Sequence, residues 1–172
     1  DLMEAQSVIH IGAQKTGSTS LQRWLFSKAC TINYLGEDCA GYDSIKPVLI
    51  SLISHDDLFY DPAATRTLFR ERFSDDRRPV NLYSHEDIML SPIPSLCARR
   101  LAELLPDATI LMVIRNQLTA VPSWYANHGA YLRNVPRYYW RRYVSLSDWM
   151  AYCLQFVEHS PLAGFFYKRH AD

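Results

Sequence analysis

Short apolar, β-branched runs alternate along the chain with longer stretches whose apolar residues recur every three to four positions, which predicts strands separated by helices. The first run, around Val8-Ile-His-Ile, predicts a strand over 7–12. A helix over 18–29 and a short strand over 32–35 follow it. Helical patterns occupy 44–54 and 62–73, the second opened by Asp61 with Pro62 at the first helical position. The polar turn 74–79 introduces a strand over 79–84, and Leu96, Leu101, Leu104 and Leu105 mark a helix over 94–105 that Pro106 and Asp107 close. A strand over 109–114 leads to a helix over 119–131, with Thr119 as its N-cap and Pro122 in its first turn. Ser147 is expected to cap a final helical run to Val157. Strands that alternate with helices imply an α/β fold on a mainly parallel sheet joined by right-handed crossovers. No internal repeat, low-complexity tract or clear linker divides the chain, so 1–172 reads as a single domain.

Composition narrows the partners more than the fold. At 172 residues the chain is long enough for a substantial core, and 18 basic residues balance 18 acidic ones. A formal net charge of zero argues against broad binding to nucleic acid or anionic membranes, with the Arg- and aromatic-rich 133–143 as a local exception. That stretch has two readings: a surface that grips an anionic or sugar-like acceptor, or an amphipathic helix whose arginines snorkel over buried rings. No apolar run nears the roughly 20 residues that span a bilayer, and no signal-peptide pattern opens the chain. Cys30, Cys39, Cys97 and Cys153 are scattered, without a metal-ligand spacing, and read as reduced thiols. A cytoplasmic location is expected.

The candidate chemistry begins where the first strand ends. Gly12-Ala-Gln-Lys-Thr-Gly-Ser-Thr-Ser20 sets two glycines, a lysine and four hydroxyls between a strand and a helix. Backbone N–H groups of such a turn converge, and the helix N-terminus adds partial positive charge, so the turn predicts an anion cradle. Gly12 and Gly17 have the separation of a Walker loop, but Ser18 stands where that loop places lysine. Lys15 lies three residues upstream, on the rim, and the strand over 109–114 ends in Arg115 rather than a metal-holding Asp.

Lys15-Thr-Gly-Ser-Thr19 instead resembles the 5′-phosphosulfate loop of the sulfotransferases that use 3′-phosphoadenosine 5′-phosphosulfate (PAPS), in its bacterial or carbohydrate-directed form. Two further segments fit that resemblance. Arg115, at a strand end, and Ser123, eight residues later, are similar to the family's 3′-phosphate motif, and a guanidinium fork with a hydroxyl suits a phosphate. Taken singly, Arg115 also reads as a surface ion pair and Ser123 as an ordinary helix-face residue. Val80-Asn-Leu-Tyr-Ser-His-Glu-Asp87 ends a strand in titratable groups, where the family carries a general base. Ser84-His-Glu86 resembles the bacterial Ser-x-Glu form, which implies Glu86 as the base with His85 as the alternative. The plainer reading of His85, Glu86 and Asp87 is that they cap the helix that follows.

The resemblance covers roughly 7–130 and implies a three-layer α/β/α, P-loop NTPase-like fold. It implies metal-free sulfuryl transfer from PAPS to a hydroxyl, less readily an amine, of a carbohydrate or small molecule, with 3′,5′-ADP (PAP) as product. Lys15, Thr16, Gly17, Ser18, Thr19 and Ser20 would hold the 5′-phosphosulfate, and Arg115 and Ser123 the 3′-phosphate. Family members usually add a further strand and a basic Gly-rich loop. Neither has a counterpart before Asp172, and the chain begins at Asp1, so a partial sequence lacking the usual C-terminal part is expected. A fragment of a eukaryotic enzyme would move the expected compartment to the Golgi lumen. Two rival readings remain, a P-loop nucleotide or metabolite kinase and a non-catalytic sulfotransferase-like binding module.

Overall fold

The computed structural model describes residues 5–12, 15–75, 77–130 and 142–155. The chain divides into two compact units, Asp1–Val113 and Ile114–Asp172.

The first unit is built on a four-stranded, all-parallel sheet of order β2-β3-β1-β4, from β1 (Gln6–Gly12), β2 (Ile32–Gly36), β3 (Val80–Ser84) and β4 (Thr109–Val113). Side chains alternate along a strand, so each strand serves both faces. Ile9, Leu35 and Tyr83 bury themselves in one core with Leu49, Leu52 and Ile53 of α2 (Tyr42–Ser54), Leu68 and Phe69 of α3 (Pro62–Arg72), and Cys97 and Leu101 of α4 (Pro94–Leu104). The opposite parity carries His10 and Ser84, which meet the helical run after β1. That run opens as α1 (Ser18–Ser20) and continues in π geometry over Leu21–Phe26, where Ser27 N donates to Gln22 O at 3.0 Å.

Connection order creates the crevice. From β1 the chain passes over β3 to reach β2, whereas from β3 it passes over β1 to reach β4. The connections of the adjacent strands β1 and β3 therefore depart in opposite directions, and their carboxyl ends flank a topological switch point. Gly36 is dictated by packing beside it, because a Cβ there would collide with the Ser84 carbonyl and lie 2.7 Å from the Tyr34 hydroxyl. β4 forms one sheet edge and leaves Ile110, Leu111 and Met112 exposed.

The second unit contains α5 (Gln117–Trp124), a π-helical continuation over Tyr125–Gly129, and α6 (Leu146–Gln155). Trp124, Val144, Trp149 and Cys153 are its buried centre. Two expected helix starts are corrected here. Asn116, not Thr119, caps α5, its side chain accepting from Leu118 N at 2.8 Å. Pro122 consequently lies inside the helix rather than in its first turn. Asparagine is the stronger cap because its amide oxygen reaches the N2 amide, while Thr119 turns its hydroxyl back to the Asn116 carbonyl. Likewise Ser145, not Ser147, accepts from Asp148 N at 3.2 Å as α6 begins. The rest of 131–143, apart from Arg142 and Tyr143, and the end of the predicted 147–157 helix lie outside the described residues. Among the described residues no helix is long and apolar enough to cross a membrane.

Candidate functional site

The turn after β1 is the segment expected to hold an anion. Lys15 and Gly17 both adopt left-handed conformations, at φ 63° and 91°. Glycine enters that region without penalty, whereas Lys15 is held there against its Cβ. Gly17 is also the N-cap of α1 and offers no side-chain hydrogen bond to the helix start. Lys15 and Thr16 are half-buried at the rim; Gly17, Thr19 and Ser20 are exposed; Ser18 is buried. Ala13 and Gln14 lie outside the described residues.

Ser18 meets the candidate base. Its hydroxyl donates to Glu86 Oε1. A helix start draws the nearest carboxylate, and Glu86 reaches it from the first residue of the 3-10 turn Glu86–Ile88, just past the end of β3. The loop and the candidate base, 68 residues apart in sequence, thus meet across the switch point.

His85 sits differently. Its ring is 2% exposed, Nδ1 accepts from Asp87 N at 3.3 Å, and Nε2 lies 3.0 Å from the Tyr42 hydroxyl. With Nδ1 accepting, the neutral ring carries its proton on Nε2 and points it at Tyr42. Burial holds the imidazole below its ordinary value of 6.5, opposed by Asp87 and helped by Lys46. The plain expectation that His85 caps the following turn describes this contact well.

Around this pair the crevice is acidic and aromatic. Burial raises the Glu37 carboxyl above its usual range, and the charges of Glu86, Asp87 and Asp38 raise it further against the pull of Lys46. The Tyr42 phenol is pushed up to about 12 by burial and by the same carboxylates, Glu37 and Asp87. Tyr34, whose hydroxyl donates to the Glu37 carbonyl at 2.7 Å, is raised chiefly by burial.

Beneath the loop lies a polar cluster that motif reading passed over. His10 Nδ1 is 2.8 Å from Ser84 Oγ, and Gln22 Nε2 donates to the same oxygen at 3.0 Å. All three side chains are fully buried. Two signals in the sequence point to them. His10 and Gly12 share a strand parity, and Gln22 stands one helical turn beyond Ser18.

The 3′-phosphate candidates belong to the second unit. Arg115 is exposed just before α5, and its Nε donates to Thr119 Oγ1 at 3.0 Å, which fixes the guanidinium relative to the helix start. Ser123 is half-buried near the end of α5. Lys15, Glu86 and His85 belong to the first unit. Among the described residues no group of three or more His, Cys, Asp or Glu side chains is arranged to hold a metal ion. No family model, curated protein or solved structure matches the chain.

Proposed function

We propose that the protein is a sulfotransferase that moves a sulfuryl group from PAPS to an acceptor hydroxyl of a carbohydrate or small molecule, on a three-layer, P-loop-like scaffold. The observation that carries this reading is the Ser18–Glu86 hydrogen bond, which joins an anion-binding turn to a carboxylate at the neighbouring strand tip. A transfer site needs both: fixed donors for the departing phosphate and a proton acceptor within reach of the incoming hydroxyl.

The residues fit the nucleotide. Left-handed turns at Lys15 and Gly17, an uncapped helix start and the exposed hydroxyls of Thr19 and Ser20 suit a 5′-phosphosulfate, and Lys15 on the rim suits the bridging oxygen. PAPS supplies an activated sulfuryl group, and 3′,5′-ADP is the product. Glu86 takes the proton of the acceptor hydroxyl as the new S–O bond forms. Lys15 and the loop amides hold the negative charge that collects on the 5′-phosphate as the old S–O bond breaks. Arg115 and Ser123 hold the 3′-phosphate in this reading. Glu86 is assigned as base in preference to His85 because both nitrogens of His85 already face partners.

Calorimetry with 3′,5′-ADP in EDTA, beside ATP with magnesium, tests the reading. Metal-independent binding of 3′,5′-ADP is the expected result. Binding of magnesium–ATP alone would identify a kinase instead. Nucleotide binding without sulfuryl transfer to any of a panel of sugar and phenolic acceptors would leave a non-catalytic binding module.

A further inference from the structure

His10 is buried completely in a strand core, yet one of its ring nitrogens, Nε2, has no hydrogen-bond partner among the described residues. An orphaned polar atom in such a place is costly, and native interiors rarely keep one without a use. The ring is not free to turn away from its position. His10 pairs in register with Ser84 across the β1–β3 ladder, its Nδ1 is held by Ser84 Oγ, and Phe26 packs edge-on against it at 5.3 Å.

The orphan faces the loop. A Cβ placed on Gly12 would lie 3.2 Å from His10 Nε2 and 3.3 Å from Ser18 Cβ. His10 Nε2 therefore lies close to Gly12, where β1 ends, and Gly12 in turn lies close to Ser18, where α1 begins. Its chemistry follows from the chain of donors behind it. The Gln22 amide donates to Ser84 Oγ, and in the tautomer in which that hydroxyl donates in turn to His10 Nδ1 the ring carries its proton on Nε2.

We infer that His10 is an anion-binding residue of this site: its Nε2–H is the innermost donor of the loop, satisfied when a phosphate or phosphosulfate oxygen enters. The inference deepens the proposed nucleotide site and rests on that reading for the identity of the anion, though not for its charge. The neutral imidazole suits the position. It contributes a donor at the floor of the cradle without adding a buried cation, while Lys15 supplies charge at the rim. Gly12 has a reason in the same geometry, since any side chain there would press on the His10 ring.

The test compares wild type with two variants. His10→Asn keeps a polar atom at the depth of Nδ1 and removes the one at Nε2; His10→Gln places an amide near the Nε2 position. Calorimetry with 3′,5′-ADP and, separately, with inorganic pyrophosphate is paired with ¹⁵N NMR of the His10 side chain in the wild-type protein. Expected is about tenfold weaker anion binding in His10→Asn, the loss of one hydrogen bond to a charged group. Recovery in His10→Gln and a shift of the wild-type Nε2 resonance at saturation are expected with it. Pyrophosphate that binds and shifts Nε2 while 3′,5′-ADP does not bind would sustain His10 and overturn the nucleotide reading. Anions that bind while Nε2 stays unmoved would overturn the inference alone, pointing to a buried water shared with the equally unpartnered Gln22 Oε1. Failure of both anions to bind would overturn both. Should the variants not fold, the wild-type NMR titration decides by itself.

Discussion

Glu86 and His85 are sequence neighbours with opposite surroundings. His85 is buried between Tyr42 and Asp87, whereas Glu86 is half-buried against the loop hydroxyl of Ser18. Glu86→Gln is expected to lower turnover by about 100-fold with little effect on 3′,5′-ADP affinity, as loss of a general base does. Near-wild-type turnover in that variant would hand the proton to His85. Lys15→Ala is expected to lower turnover by about 100-fold through lost stabilisation of the departing phosphate, measured with labelled PAPS under saturating acceptor. The motif residues were legible because a lysine and hydroxyls between two glycines form a local pattern. His10 was not, since its meaning comes from Ser84, which is 74 residues away in sequence and 2.8 Å away in space.

Among the elements, local chemistry predicted the start of α3, where an acidic cap precedes a proline. Asp61 accepts from the amides of Ala63 and Ala64 with Pro62 at the first position, as expected. Asp61→Ala is expected to cost about 1 kcal/mol in urea-induced unfolding. Gly36→Ala should cost more, about 1–3 kcal/mol, because its Cβ meets backbone and a tyrosine hydroxyl rather than a flexible chain end. The misplaced α5 start has a clear origin. Proline favours a first turn, so Pro122 favours a cap at Thr119, although the Asn116 side chain begins the helix three residues earlier. The π geometry of Leu21–Phe26 and Tyr125–Gly129 leaves no mark in hydrophobic period, since each run is little longer than one turn and too short to define a period.

For the whole molecule, two expectations concern pH and nucleotide binding. Burial lowers the affinity of His10 and His85 for protons below that of the ordinary imidazole, 6.5. A depressed folded value means that their contribution to stability is full above about pH 6.5 and is lost as pH falls through the folded values. The raised Glu37 acts in the opposite sense, adding stability in acid that is lost as pH rises through its folded value. Urea unfolding should therefore show a fall in stability on acidification from pH 7.5 to 5.5, shallower in His10→Gln. An identical slope in that variant would remove His10 from the account. On the proposed reading, Arg115→Ala is expected to weaken 3′,5′-ADP binding by about tenfold or more, as loss of a charged hydrogen-bonding partner of the 3′-phosphate would. Unchanged affinity would remove Arg115 from the nucleotide site.

Local sequence by itself determined the strand–helix alternation, the left-handed turn that glycine permits at position 17, and the lysine and hydroxyls gathered there, because each depends on neighbours within a few residues. Tertiary structure alone decided that the chain from β1 and the chain from β3 depart in opposite directions, opening one crevice for Ser18 and Glu86. It also decided that His10, Ser84 and Gln22 close beneath that crevice as a buried polar cluster. Such contacts depend on strand order and register, which pair residues by position in the sheet rather than by distance along the chain.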